Sequence, residues 1–418
     1  MATSSAAQDR NWLLVAACFF SHLLTLGTLY SYSVLYKAFL GDPTLSVDRA
    51  SAASVGALAS CSMLTAGVFA GACVNKLGQR SVGLVGAGLM AVGLLLSSLA
   101  TTVPALLVTF SILCGFGSNF SFSSGITLVS RYFSRHRALA TGLAVSGSGV
   151  GTFVVSQALT AAVLAYGWRA ALRGLALVAF LVLSACALAY APPPDAEQGG
   201  AAHATPPLPL RALLRRPAWA QFAIMHALYG GVIWGVYGHF VTATSDWGLT
   251  AEEGARALSL VGLFGAIGRV ALGALADRPG VHKVRLLAAC MSVAGVPVLI
   301  LGATGGGGGG APFIYAAAAV FGLLSGSVVS QVPPLLVEHL GAENLPLALG
   351  TQYTIQVPTV LAIQPLVGLA RAREGSYAGG FALMGATLVL APISLWPLLR
   401  AAQRQPLAAA AATAEETS

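Results

Sequence analysis

Residues 259–277, SLVGLFGAIGRVALGALAD, form an apolar stretch that is long enough to cross a bilayer and carries Arg269 near its middle. An arginine at this depth costs about 3 kcal/mol or more unless it faces water or a partner, so it is a candidate functional residue. Small residues share its helical face, because Gly262, Gly265 and Gly273 lie four or seven residues away. We therefore predict that Arg269 is a fixed positive charge on the wall of a water-filled cavity. The alternative is that helix-end carbonyl groups bind it and that it serves packing alone.

The composition of the whole chain is that of a membrane protein. Of its 418 residues, 56% are hydrophobic and only 9% are charged, whereas about a quarter of the residues in a soluble domain are charged. Apolar runs of roughly 20 residues recur along the chain, and they predict an all-α membrane protein with twelve transmembrane helices. The predicted spans are residues 12–36, 52–73, 82–100, 103–127, 139–162, 170–190, 218–242, 255–276, 284–301, 311–337, 345–369 and 377–399.

Basic residues between the predicted spans set the orientation of the chain. The loops on the side of the N-terminus carry about twice as many Lys and Arg residues as the opposite loops, and such residues favour the cytoplasmic side. We therefore expect a multi-pass protein whose N- and C-termini are both cytoplasmic. The net charge of +8 is explained by this topology, and it does not indicate a nucleic-acid partner.

A polar segment divides the chain near its middle. Residues 191–217 are rich in Pro, Ala and Gly and predict a cytoplasmic linker. Six predicted spans precede the linker and six follow it, so residues 1–190 and 218–400 are each expected to form a six-helix bundle. Residues 401–418 are expected to be a disordered cytoplasmic tail.

The two halves carry related loops. Residues 71–80 read GACVNKLGQR and residues 273–280 read GALADRPG, and both match the pattern G-x-x-x-[DN]-[KR]. This repeated loop resembles that of the major facilitator superfamily, whose fold consists of two six-helix bundles. The resemblance implies a conformational latch between the bundles, with Asn75 standing where an acidic residue is usual. The residues implied in the latch are Asn75, Lys76, Arg80, Arg135, Arg137, Asp277 and Arg278.

A more specific resemblance lies at the start of the fifth span. Residues 131–151, RYFSRHRALATGLAVSGSGVG, resemble the signature of the monocarboxylate transporter family. The resemblance implies a secondary transporter of the plasma membrane that moves a small monocarboxylate such as lactate or pyruvate by alternating access, with proton linkage as one mode. It also implies a single-span accessory glycoprotein as a potential partner, besides the substrate anion and the lipid bilayer.

The substrate site is predicted around Arg269, because no Asp or Glu falls inside a predicted span to neutralise it. An arginine fork suits a carboxylate, and one fixed base favours a monoanion. The aspartate of well-known family members is replaced by Gly265, and a lysine of theirs by Tyr30. Neutral side chains of other spans are expected to complete the site, with an interhelical hydrogen bond as the alternative role of each. They are Tyr30, Asn119, Phe122, Ser123, Tyr229, Gln352 and Gln356.

Proton linkage would need another titratable group, because the family's acidic partner is missing. His22, His226 and His239 lie in or near the first and seventh spans, and histidine titrates near physiological pH. The alternative is that these histidines only pack or form hydrogen bonds. Facilitated diffusion or anion exchange would then replace symport.

Other functions remain open at this point. A facilitator or exchanger of aromatic amino acids or of another small organic metabolite would use aromatic rings in the cavity. A non-transporting sensor with the same fold is a second alternative. An enzyme is not expected, since the sequence has no nucleophile–base pair, no metal cluster and no cofactor motif.

Overall fold

The computed structural model describes residues 12–45, 47–190, 206–306 and 309–400, and these fold into helices joined by short loops. The first half contains α1 (Trp12–Tyr30), α2 (Tyr32–Leu40), α3 (Arg49–Ser97), α4 (Val103–Leu106), the π-helix Leu107–Cys114, α5 (Gly115–Tyr132) and α6 (Arg137–Leu188). The second half contains α7 (Leu210–Leu214), α8 (Pro217–Asp246), α9 (Ala251–Ala276), α10 (Lys283–Ala303), α11 (Gly310–Leu340), α12 (Leu345–Thr354), α13 (Gln356–Glu374) and α14 (Ala378–Leu390). Short 3₁₀ turns, Ala342–Asn344 and Ala391–Leu395, precede α12 and follow α14.

Two of these helices are too long for a single crossing. α3 has 49 residues and α6 has 52, so each would measure about 75 Å if straight, against a hydrocarbon core of about 30 Å. Gly78 and Gly167 interrupt them, each with a φ of 78° that glycine adopts without steric strain. Each long helix therefore consists of two helices that meet at a kink, and each kink lies between two of the predicted spans.

The helices that could cross a membrane are fewer than the predicted spans. Nine helices within the described residues are long and apolar enough to cross, and α3 and α6 each count once among them. The 30-residue α8, which contains the predicted seventh span, is not among the nine. The nine helices therefore do not by themselves establish twelve crossings.

Small residues allow the helices of the first half to approach closely. α1 packs against α6, where a Cβ on Gly147 or Gly151 would collide with the backbone of Phe19 or Leu23. This is the close approach that the glycine spacing of residues 131–151 predicts. α3 packs on α5 in the same half, and α9 on α11 and α10 on α14 in the other half.

Two helix pairs make most of the contact between the two halves. α6 packs against α9, and α3 packs against α12. Glycine lies at both seams, because a Cβ on Gly273 would come within 2.6 Å of the Ala138 carbonyl oxygen, and one on Gly67 within 2.6 Å of the Gly350 carbonyl oxygen. Both seams therefore depend on backbones that touch directly.

The predicted linker and tail fall largely outside the described residues. The structure does not describe residues 191–205 of the linker or residues 401–418 of the tail, nor does it describe residues 1–11. The described end of the linker is attached to the second half, since Leu208 donates its backbone N–H to Asn344 Oδ1 at 2.7 Å. The short helix α7 then leads into α8.

Candidate functional site

A cavity of about 90 Å³ lies where the two halves face each other. Its walls come from α1, α3, α5 and α6 of the first half and from α8, α9, α11, α12 and α13 of the second. Its lining is mostly apolar and aromatic, with a few polar groups, as is usual for sites that bind small molecules. A group bound there would contact both halves at once.

Arg269 lines this cavity and reaches from α9 to α6. Its Nη1 donates to Ser148 Oγ at 2.6 Å and to the Val145 carbonyl oxygen at 3.2 Å. Its Nε is buried without a partner among the described residues. Neither contact is at a helix end, and no Asp or Glu stands among the described residues of the lining. Arg269 therefore brings a positive charge to the cavity that no carboxylate neutralises there.

Four of the neutral side chains predicted for the site line the cavity: Tyr30, Phe122, Tyr229 and Gln356. Tyr229 donates its hydroxyl to the Ser325 carbonyl oxygen at 2.9 Å, which links α8 to α11. The cavity thus has aromatic walls around a single guanidinium.

The other three predicted neutral residues lie outside the cavity lining. Asn119 is buried and donates from Nδ2 to the Met63 carbonyl oxygen at 2.8 Å, so it forms the interhelical hydrogen bond that was the alternative for it. Ser123 donates to the Asn119 carbonyl oxygen within the same helix. Gln352 is fully buried, and neither amide atom has a partner among the described residues.

Two of the three histidines line the cavity. His22 on α1 and His226 on α8 face it, whereas His239 lies outside the lining and contacts the ring of Tyr377. His22 packs edge-on against Phe122, with 5.3 Å between ring centroids.

Direct contacts join the two halves at one end of their interface and again at the wall of the cavity. At one end, Asp277 Oδ2 accepts the backbone N–H of Leu139 at 2.8 Å, and Oδ1 accepts that of Ala138 at 3.2 Å. Burial raises the pKa of Asp277, and these two hydrogen bonds offset only part of that rise. Farther from this end, in the wall of the cavity, Tyr30 stacks on Tyr237, with centroids 5.7 Å apart and planes 5° from parallel.

The remaining latch candidates are not joined in the same way. Asn75 is half-buried and has no hydrogen bond to the described residues, while Arg137 donates from Nε to the Phe133 carbonyl oxygen at 2.8 Å. The others are exposed basic residues: Lys76, Arg80, Arg135 and Arg278. Their part in a latch stays a prediction.

Comparison with known proteins identifies the chain. The pattern of the Major Facilitator Superfamily matches residues 15–357. Human Monocarboxylate transporter 11 is 30% identical over 388 residues, which cover 90% of this chain and 80% of that protein. The chain belongs to the monocarboxylate transporter family. Human Monocarboxylate transporter 12 is also similar, at 28% identity over 92% of this chain and 79% of its own length.

Solved structures show the same fold as this family member. The match to the E. coli fucose:proton symporter covers 92% of this chain and 97% of the symporter chain, with a TM-score of 0.68 and 16% identity. The match to the human organic anion transporter MFSD10 covers 92% of this chain and 99% of the MFSD10 chain, with a TM-score of 0.69 and 16% identity. The family and these structural neighbours are transporters.

Several residues of the cavity in this monocarboxylate transporter family member were missed by sequence reasoning, among them Ser148, Trp234 and Tyr237. Trp234 and Tyr237 lie four and seven residues after Gly230, which also lines the cavity, so helical spacing from Tyr229 and its neighbour could have revealed them. Ser148 lies within the glycine-rich SGSGVG run of α6, whose small residues indicate close helix packing and do not mark a cavity residue.

Proposed function

We propose that this protein is a secondary transporter that carries a small monocarboxylate, of the lactate or pyruvate kind, by alternating access. The observation that supports it is Arg269, a guanidinium on a cavity between the two halves with no carboxylate among the described lining residues. Its planar donors suit a carboxylate, which would neutralise it. Each half contributes to the cavity wall, so rocking of one half against the other would expose the site to alternate sides.

The size of the cavity favours the smaller of the two candidate substrate classes. Its volume is about 90 Å³, less than the roughly 150 Å³ of an apolar cavity that holds benzene. Benzene has as many heavy atoms as lactate or pyruvate, so the walls would move apart for either class. A three-carbon acid has fewer heavy atoms than an aromatic acid and would need less rearrangement of the walls. The anion would lie beside the apolar and aromatic rings with its carboxylate on Arg269.

The proposal includes the arrangement in the membrane. We place twelve crossings in the plasma membrane, two each from α3 and α6 and one from α8, with both termini cytoplasmic. The support is the glycine break in each long helix and the excess of basic residues in the loops on one side. The Asp277 contact then lies at the cytoplasmic end, and the Tyr30–Tyr237 stack lies nearer the external end.

The test is uptake by purified protein in liposomes. Labelled lactate, pyruvate, longer keto acids and aromatic amino acids are offered in turn, and counterflow against unlabelled acid measures carriage without any gradient. We expect saturable counterflow of a short monocarboxylate, with a loss of roughly tenfold or more in Arg269→Lys, which keeps the charge and loses the fork. Arg256→Lys is the matched control, because this exposed arginine lies on the same helix and pairs with Glu252. Undiminished counterflow in Arg269→Lys would refute the assigned role.

A second candidate substrate class is favoured by the aromatic walls. Tyr30, Phe122, Tyr229, Trp234 and Tyr237 line the cavity, and such rings could stack on an aromatic metabolite. An aromatic amino acid would also bring an ammonium group, for which the described lining offers no carboxylate. Counterflow of an aromatic substrate without counterflow of short acids would establish this second class.

A further inference from the structure

His22 is held in one tautomer on the wall of the cavity. Its Nδ1 lies 2.9 Å from the carbonyl oxygen of Cys18, one turn earlier on α1, and 3.5 Å from the Cys18 sulfur. A carbonyl oxygen only accepts, so Nδ1 carries the proton and the basic lone pair is on Nε2. Nε2 has no hydrogen bond to any described residue. An imidazolium at this position would keep its Nδ1–H bond and present a second N–H to the cavity.

His226 is less suited to carry a charge. Its Nδ1 is buried and has no partner among the described residues. An imidazolium donates from both nitrogens, so protonation of His226 would leave one of its N–H groups buried without an acceptor. His239 lies outside the cavity lining. The geometry therefore separates His22 from the other two histidines.

The charged group that faces His22 from the other half is Arg269. The walls from α3, α5 and α6 add no ionisable side chain among the described lining residues. The ionisable groups near His22 from its own helix and from α8, α9 and α12 are Cys18, Tyr30, His226, Tyr229, Tyr237, Tyr353 and Arg269. In the empty cavity, the positive charge of Arg269 disfavours a second positive charge on His22.

The resemblance to the family implies proton-linked transport, and we infer that His22 is the proton carrier in this chain, taking up a proton at Nε2 together with the substrate anion; this rests on the proposed function. A carboxylate bound to Arg269 cancels the repulsion and can accept a hydrogen bond from Nε2–H. By linkage, substrate binding then strengthens proton binding and proton binding strengthens substrate binding by the same factor. The family's acidic partner is not needed for this coupling.

The charges balance over the cycle. In the empty carrier, Arg269 is positive and His22 is neutral, so the cavity carries one positive charge. In the loaded carrier, Arg269 is positive, the proton on Nε2 of His22 adds one positive charge, and the substrate adds one negative charge. The total is again one positive charge. The proton comes from water on the side of entry and returns to water on the side of exit. One proton and one monoanion therefore cross together, and transport is electroneutral.

The test uses proteoliposomes with the membrane potential clamped and the short acid that wild-type protein carries in counterflow as probe. An imposed pH gradient should drive wild-type accumulation by up to about tenfold for each pH unit. His22→Gln should abolish this accumulation, raise the substrate concentration needed for half-maximal counterflow, and make net uptake depend on the membrane potential. His239→Gln is the matched control, since it lies outside the cavity lining, and it should accumulate like the wild type. Proton uptake on addition of the probe to solubilised protein provides a second measurement, with about one proton for the wild type and none for His22→Gln.

The outcomes separate the two proposals. Absence of counterflow for every acid offered to the wild type contradicts the proposed function itself. Counterflow without pH-driven accumulation leaves that function standing and overturns the role of His22. Full pH-driven accumulation by His22→Gln, with proton uptake unchanged, also overturns it. If His22→Gln gives no stable protein, His22→Asn is measured for the same proton uptake, and a proton bound by that variant counts against the inference.

Discussion

Leu139 donates its backbone N–H to Asp277 Oδ2 at 2.8 Å, which joins the first turn of α6 in one half to the end of α9 in the other. Ala138 donates to the second oxygen of the same carboxylate. The first N–H groups of a helix have no partner within the helix, and a carboxylate there is favoured by the helix dipole. The contact therefore stabilises the conformation in which this end of the interface is closed.

Removal of this carboxylate should loosen the closed end. Asp277→Ala deprives two backbone N–H groups of their acceptor. A buried hydrogen bond to a charged group contributes about 1.5–3 kcal/mol to stability, and the contribution is smaller at this half-buried position. We expect the open population to rise by on the order of tenfold. The measurement is the distance between spin labels at the exposed positions Ser81 and Pro279 in nanodiscs. Asp246→Ala is the control, because Asp246 pairs with Arg371 within one half, and an equal effect of both variants would contradict the prediction.

The closed end should also respond to pH. Burial raises the pKa of Asp277, and the hydrogen bonds from Leu139 and Ala138 and the charge of Lys283 lower it by less. The closed state therefore binds the proton more tightly than an open state whose carboxyl is in water. Acidification should favour closure. This added stability of the closed state should be lost as the pH rises from about 4, the ordinary pKa of an aspartate, through the raised pKa of Asp277. The test measures the same spin-label distances across this pH range in the wild type and in Asp277→Asn, which cannot titrate. A distance that widens on acidification of the wild type would contradict the prediction.

The corresponding position in the first half lacks the acid, and its restoration should tighten the second seam. Gly71 touches the Pro346 carbonyl at the start of α12, just as Gly273 touches Ala138 at the start of α6. The spacing is also the same, because Asn75 lies four residues after Gly71 and Asp277 lies four residues after Gly273. Asn75→Asp should therefore accept the N–H of Leu347, with one bond instead of two because proline has no N–H.

The expected result of Asn75→Asp is a narrower distribution of the Ser81–Pro279 distance and a lower maximal rate of counterflow, since opening of this end becomes harder. Asn75→Ala is the control and should resemble the wild type, because Asn75 has no hydrogen bond to the described residues. A faster counterflow in Asn75→Asp would show that the seam opens by another route.

The elements of this fold that depend on spacing along one helix could be predicted from the sequence. Gly147 and Gly151 contact α1 as their four-residue spacing predicts, and Arg269 shares its face with glycines that allow it to reach the cavity. Tyr229 and Gln356 also reach the cavity. Helical periodicity fixes which side chains share a face before any partner is known, so these positions follow from the sequence, while the role of the residues in substrate binding stays a prediction.

The roles that depend on a partner from another helix could not be predicted in this way. Asn119 shares a face with Ser123, yet its amide is taken by the Met63 carbonyl of α3. The stack of Tyr30 on Tyr237 pairs helices whose relative placement no local pattern encodes. The breaks at Gly78 and Gly167, by contrast, fall between spans that hydropathy already separates, and each is a residue with positive φ.

The closest approach of α6 to α9 provides a last test of the closed state. A Cβ on Gly142 would collide with the backbone carbonyl oxygen of Arg269, and a backbone atom cannot move aside as a flexible side chain can. Gly142→Ala should therefore force the two helices apart, at a cost of about 1–3 kcal/mol to the closed state, and should lengthen the Ser81–Pro279 distance and reduce counterflow. Gly174→Ala on the same helix meets nothing within 4 Å and should leave both unchanged. If Gly142→Ala keeps the wild-type distance and rate, the close approach of Gly142 to Arg269 does not contribute to the closed state, and this prediction is wrong.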